Sequence, residues 1–226
     1  KQRGDPIRLE VVRNRFTAIA NEMGLALQRS AYSTNIKTRR DFSCAVFDAD
    51  GRAIAQSFAQ PVHLGSLSHF VPKIIEVYGP QNLRPNDGIL CNDGYRGGVH
   101  LNDVCLVSPV FCREEIVGYV ANIAHHLDVG GSTPGSMMGY STEIIHEGLR
   151  IPPIRLINQG QIDTNVFSLI TNNVRSLQET SGDIRAQIAG MNIGLDRVKE
   201  LFEKYGREEM IDLMSEILDY TEHRVC

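Results

Sequence analysis

The sequence predicts an α+β fold: mainly antiparallel β-hairpins packed with helices, a long N-terminal helix and a helical C-terminal tail. Three observations carry this. The apolar series Ile7, Val11, Val12, Phe16, Ile19, Met23, Leu27 keeps helical spacing. Two strand–turn–strand passages occupy residues 42–56 and 104–123. From Thr164 onward the periodicity is helical again. Strands and helices come in runs rather than in strict alternation, which favours antiparallel pairing over a parallel sheet.

In chain order, Asp5-Pro6 supplies an N-cap and an N1 proline for the first helix. Residues 33–40 break its pattern. Phe42-Ser43-Cys44-Ala45-Val46-Phe47, Asp48-Ala49-Asp50-Gly51 and Arg52-Ala53-Ile54-Ala55-Gln56 then read as a hairpin whose turn a glycine closes. Phe70, Val71, Ile74, Ile75 and Val77, after His69, suggest a helix ending at Gly79-Pro80. Gly88-Ile89-Leu90-Cys91 is a short buried strand, and 104–112 with 116–123 form a second hairpin around Arg113-Glu114-Glu115. Residues 130–140 have the composition of a flexible loop. In the tail, Val166, Leu169 and Ile170 precede Ile184, Ile188, Met191, Leu195, Val198 and Phe202. Gly206 then punctuates a last helix carrying Met210, Ile211, Met214, Ile217 and Leu218. The division expected is residues 1–160 as an α+β domain bearing the site and 161–226 as a helical segment that packs on it or on further chain.

Composition narrows the function classes. With 42% hydrophobic and 22% charged residues and a formal charge of −4, the chain is an ordered globular protein with no electrostatic footprint for nucleic acid. No apolar run approaches the length of a membrane span, and no secretory pattern follows the polar start. Five cysteines without a Cys-x-x-Cys suit a reducing cytoplasm, and Cys44, Cys91, Cys105 and Cys112 read as small buried hydrophobes. No phosphate-cradling Gly-x-x-x-x-Gly-Lys motif occurs, so a nucleotide site is expected elsewhere.

The unusual chemistry lies between 92 and 139. Asn92-Asp93-Gly94-Tyr95-Arg96-Gly97-Gly98-Val99-His100-Leu101-Asn102-Asp103 and Ala124-His125-His126-Leu127-Asp128-Val129-Gly130-Gly131 each place histidine within three residues of aspartate beside a Gly-Gly pair. Imidazole with carboxylate is a ligand set for a divalent ion, and glycine lets the backbone turn tightly enough to aim it. The hairpin between the clusters brings Asp103 and His125 to one end. A three-residue turn sets them opposite, about 5 Å apart between Cβ atoms; a two-residue turn offsets them onto opposite faces. His100 reaches the same point from the loop. The plainer reading is that such residues only cap turns, and turn-making is the default role of Asn92 and Asp93. Arg39, Arg40 and Asp41 either bind an anion or form a surface ion pair.

These blocks, with Arg39-Arg40-Asp41-Phe42-Ser43-Cys44-Ala45, Pro61-Val62-His63-Leu64-Gly65-Ser66, Pro134-Gly135-Ser136-Met137 and Glu147-Gly148-Leu149-Arg150-Ile151-Pro152-Pro153, resemble the hydantoinase B family in family order from about Asp5 to the end. Gly94, Val99 and Asn102 stand where the family more often has Pro, Thr and Pro, and Thr38 where Glu is frequent. The family's chains are longer, so the sequence reads as an N-terminal portion. The resemblance implies a subunit of an ATP-dependent hydantoinase or oxoprolinase that opens a cyclic amide. In that scheme a hydantoinase A-type partner holds ATP and activates the carbonyl, and a metal-bound water is the nucleophile here. It implies a divalent ion (Zn, Mn or Fe) on His100, Asp103 and His125, with Asp128 or His126 handling the water, and substrate contacts at Arg39, Arg40, Asp41, His63, Asn92, Asp93 and Tyr95. An alpha-type subunit of a ketone carboxylase and a non-catalytic assembly module are the alternatives.

Overall fold

The computed structural model describes residues 5–57 and 60–225. Helix α1 (Pro6–Ser30) starts as its sequence dictates, with the Asp5 side chain accepting the Ile7 N–H at 3.0 Å. A short α2 (Thr34–Lys37) leads to β1 (Phe42–Asp48) and β2 (Ala53–Gln56). Then come α3 (Pro61–Tyr78), β3 (Gly88–Cys91), β4 (Asp103–Cys112) and β5 (Glu115–His125). The hairpin β6 (Ile154–Asn158) and β7 (Gln161–Ile162), α4 (Thr164–Thr171), α5 (Leu177–Tyr205) and α6 (Arg207–Val225) complete the chain. The fold is α+β, as expected.

Among the described residues, seven strands join one antiparallel sheet in the order β2-β1-β5-β4-β3-β6-β7. The two hairpins read from the sequence are therefore not separate units: β1 pairs with β5 along its length. Both sheet faces are covered, and side chains alternate between them. On one face Cys44, Val46, Leu106 and Val120 pack with Phe16, Met23 and Leu27 of α1, with Ile184, Met191 and Leu195 of α5, and with Met210 and Met214 of α6. The other carries Ala45, Phe47, Cys105, Tyr119 and Ile123 under Leu67, Phe70, Val71 and Ile74 of α3. The C-terminal helices thus share a core with the sheet.

Two elements differ from expectation. Helix α3 begins at Pro61, before His69, so His63 lies in its first turn and His69 is exposed. The β6–β7 hairpin occupies a stretch where periodicity predicts no element, with Gln159 and Gly160 at positive φ making its turn. Among the described residues no helix is long and apolar enough to cross a membrane.

The register that builds the site comes from an irregularity. The β4–β5 turn has two residues, since Cys112 pairs with Glu115, and this alone would set Asp103 one residue out of step with His125. A bulge between Val110 and Phe111 takes up the extra residue of β5, and Asp103 pairs with His125. Asp103 and His125 then point to the α3 face of the sheet, along with Cys105 and Ile123.

Candidate metal and acid–base centre

Asp103 is fully buried at the start of β4 and is the hub of the cluster. Its Oδ1 lies 2.7 Å from His125 Nδ1 and 3.4 Å from His63 Nε2; its Oδ2 lies 3.0 Å from His100 Nδ1 and accepts the His100 backbone N–H at 3.1 Å. The His100 and His125 rings meet edge to face with centroids 5.6 Å apart. Four elements converge here: the β4 start, the β5 end, the first turn of α3 and the loop after a 3-10 turn at Gly94–Arg96.

Gly97 and Gly98 deliver that loop. Gly97 has a φ of 115°, and a Cβ there would meet the Phe70 nitrogen at 2.9 Å; one on Gly98 would meet Phe70 Cζ at 2.8 Å. Only glycine lets the loop lie so closely on α3 and carry His100 over Asp103. Asp41 closes the far side. Its carbonyl accepts the His125 N–H at 2.9 Å, and its carboxylate Oδ1 lies 3.7 Å from His63 Nε2.

Burial pushes the Asp103 carboxyl up, but hydrogen bonds from His125 and His63 outweigh it and hold the group well below the usual carboxylate range. Burial lowers His125, yet its bond to Asp103 and the charges of Asp103 and Asp41 leave its pKa raised. The centre is thus an ionised carboxylate hydrogen-bonded to the His125 imidazole.

The donor set fits a divalent ion. His63, Asp103 and His125 offer ligand atoms within 4.8 Å of one another; two bonds of about 2.2 Å span at most about 4.4 Å, so a shift of a few tenths of an ångström at most would bring these donors onto one ion. His100 adds a fourth donor, its Nδ1, 3.0 Å from the other carboxylate oxygen. His63 Nδ1 is buried without a partner. A histidine ligating through Nε2 carries its proton on Nδ1, where a partner normally accepts it. His63 Nε2 faces the Asp103 carboxylate at 3.4 Å and lies 3.7 Å from Asp41 Oδ1, and with no partner on Nδ1 it lacks the support that a ligating histidine normally has.

The remaining residues singled out in the sequence lie elsewhere or do other work. His126 turns to the opposite face of the sheet, is buried, and its Nε2 lies 2.9 Å from Gln187 Oε1 on α5. The alternation of an extended chain is the signal for this, since His125 and His126 cannot share a face. Asp128 is saturated: it accepts the backbone N–H groups of Gly130, Gly135 and Arg175 and an ion pair from Arg175 Nη1 at 3.0 Å. It organises the loop rather than reaching the centre. Asn92 is fully buried and structural, donating to the Leu101 and Leu149 carbonyls and accepting the Ile151 N–H. Asp93 caps the 3-10 turn by accepting the Tyr95 N–H, while Tyr95 is 75% exposed with the Arg150 guanidinium over its ring. Arg39 and Arg40 are exposed, Arg40 at a φ of 58°. Of the residues expected to bind substrate, only Asp41 and His63 touch the cluster.

The hydantoinase B/oxoprolinase family profile matches residues 5–226. The chain belongs to that family. This hydantoinase B-type chain is 39% identical over 202 residues to a 5-oxoprolinase of Dictyostelium discoideum, covering 89% of the chain and 16% of that protein. It is 35% identical over 222 residues to a protein of Pseudomonas sp. (strain NS671) named for the B component of a D-/L-hydantoinase, covering 96% and 38%. The crystal structure of the ATP-dependent caprolactamase of Pseudomonas jessenii superposes with a TM-score of 0.92 at 33% identity, over 97% of this chain and 38% of that one. The hydantoinase B-type chain spans 16% to 39% of the length of its curated relatives.

His126 also gives the chain a pH signature. Burial lowers its pKa, offset in part by the Gln187 hydrogen bond. The unfolded chain therefore binds this proton more readily, and stability falls as pH drops below about 6.5, the ordinary histidine value. Above that value the contribution vanishes. Urea midpoints at pH 7.5 and 5 are expected to differ less in His126→Gln than in the parent; an equal loss in both would mean that His126 is not held neutral.

Proposed function

We propose that the protein containing this chain is an ATP-dependent hydrolase of cyclic amide C–N bonds, and that His100, Asp103 and His125 hold a divalent ion (Zn, Mn or Fe) at its reaction centre. The observation that supports this most is the fully buried carboxylate of Asp103 with imidazoles on both oxygens, in a chain of this family. When bound, such an ion supplies Lewis acidity, polarising a carbonyl oxygen and making water acidic enough to react near neutral pH. Asp103 gives the set its negative charge and the two histidines complete it. His63, 3.4 Å from Asp103 Oδ1, helps to hold that carboxylate in place, with the Asp41 carboxylate 3.7 Å away. Asp41, partly exposed beside His63, is the group placed to take a proton as water attacks, in place of Asp128 or His126.

An unactivated amide is a poor electrophile, so the ATP dependence of the caprolactamase fits activation of the carbonyl before ring opening. This chain carries no phosphate-cradling loop motif, and we assign ATP to a hydantoinase A-type partner subunit in a hetero-oligomer. The test is direct. The full-length protein with its partner subunit is assayed for ATP-dependent opening of hydantoin, 5-oxoproline and caprolactam, with metal analysis before and after chelation. Ring opening that survives complete removal of divalent ions from this subunit would overturn the ion assignment. Bicarbonate fixation on a ketone, without ring opening, would replace hydrolysis by carboxylation.

A further inference from the structure

Gln187 lies in the middle of α5, on the sheet face opposite the Asp103 cluster, and is fully buried. It sits three residues after Ile184 and four before Met191, on the inward stripe of the helix, where a polar side chain is costly unless every polar atom is bonded. Its polar atoms are all bonded, and all to the two strands that carry the centre. Gln187 Nε2 donates to the Val104 carbonyl at 2.8 Å and to Asn122 Oδ1 at 2.9 Å; Gln187 Oε1 faces His126 Nε2 at 2.9 Å; its backbone carbonyl accepts from Asn122 Nδ2 at 2.9 Å. Val104 directly follows Asp103 in β4, and His126 directly follows His125 at the end of β5. One amide therefore clamps both strands one residue beyond each member of the Asp103–His125 pair.

We propose that Gln187 is a positioning residue for the centre: from the rear of the sheet it fixes the register and spacing of the β4 and β5 ends, and through them the Asp103–His125 geometry. The register at Asp103 and His125 depends on a bulge far along the strands, and the Gln187 bonds add to the buried side-chain pattern that holds that register at the end nearest the centre. Asn122 and His126 lie on the α5 face at the end of β5 nearest the centre, and Gln187 bonds to both as well as to Val104 of β4, so a slip of one strand against the other would break part of this set.

This inference rests on the ion-binding reading, and its test separates the two. In the full-length protein, Gln187→Met keeps the volume and removes the amide, and Gln187→Glu keeps the shape while losing the two donors. Asp87→Ala is the control. Asp87 is a buried carboxylate that accepts the Arg84 and Gln159 N–H groups, and its carbonyl accepts from Ser108, well along β4 from Asp103. Affinity for Mn(II) and for Zn(II) alone is measured by calorimetry at a temperature where all variants are folded. The metal-free proteins are examined by NMR for the downfield His125 Nδ1 proton shared with Asp103. Both Gln187 variants are expected to lose about 10- to 100-fold in ion affinity, as when a group supporting a ligand is removed, and to shift the His125 proton toward a free imidazole N–H. Asp87→Ala is expected to change neither while losing stability. Unchanged affinity and proton position in the Gln187 variants, or equal changes in Asp87→Ala, would overturn the proposal. If the parent takes up neither ion, the ion-binding reading fails, and the His125 proton still decides the positioning role.

Discussion

Asp103→Ala is expected to abolish divalent-ion retention and ATP-dependent turnover in the full-length protein with its partner, while the helical circular dichroism signal persists. The carboxylate is the only formal negative charge among the three proposed ligands, and it lies in a buried pocket where charge is felt strongly. Without it, neutral imidazoles remain, and affinity should fall by at least about a hundredfold, beyond the usual cost of losing a supporting group. A stability cost accompanies this. A carboxylate held below its ordinary range contributes stability at pH values above about 3.9 that is lost only as pH falls through its folded value. At neutral pH the substitution therefore removes the whole contribution and leaves the imidazoles of His63, His100 and His125 without their acceptor, on the order of 2–4 kcal/mol. The core between α1, α5 and the sheet does not include Asp103, so folding survives. Asp103→Asn preserves shape and separates charge from volume: it should lose the ion as fully but less stability. A variant that keeps both ion and turnover would remove Asp103 from the centre.

The convergence of Asp103 and His125 is legible in the sequence, because strand propensity on both sides of Arg113-Glu114 demands a hairpin with those residues at its open end. The route by which they align is not. A two-residue turn and a bulge at Val110 and Phe111 together give the register a three-residue turn would have given, and nothing in the local composition distinguishes the two. His63 is legible as a family-block residue but not as a neighbour of Asp103, since only the early start of α3 at Pro61 aims it there. Adjacency alone groups His126 with His125, although alternation along an extended chain argues against it. Gln187 hides in an apolar stripe. A polar residue at a position where every neighbour at helical spacing is buried is itself the signal.

The same distinction between neighbours in sequence and partners in space separates the residues around Asn92, and Asn92→Ala carries the largest expected effect on stability. Asn92 is fully buried where β3 ends. Its side chain donates to the carbonyls of Leu101 at 2.6 Å and Leu149 at 2.8 Å and accepts the Ile151 N–H at 2.6 Å, joining the His100 loop to the segment that enters β6. Alanine leaves the buried Leu101 carbonyl, the buried Ile151 N–H and the part-buried Leu149 carbonyl without their side-chain partner. Each such group costs about 1–3 kcal/mol, so the total should be roughly 3–5 kcal/mol. For a chain of this size that lowers the melting midpoint by on the order of 10 °C, at about 2–4 °C per kcal/mol. Because Leu101 is next but one to Asp103, ion affinity should weaken too, as a consequence of the loosened loop. Tyr95→Ala is the contrast: its ring is exposed and its removal should leave the midpoint within about 1 °C, as for a surface substitution worth less than about 0.5 kcal/mol. Calorimetric scans of the two variants decide the matter. An unchanged midpoint in Asn92→Ala would show that its hydrogen bonds do not hold the loop to the sheet, and would return Asn92 to the group of residues whose purpose is contact with substrate.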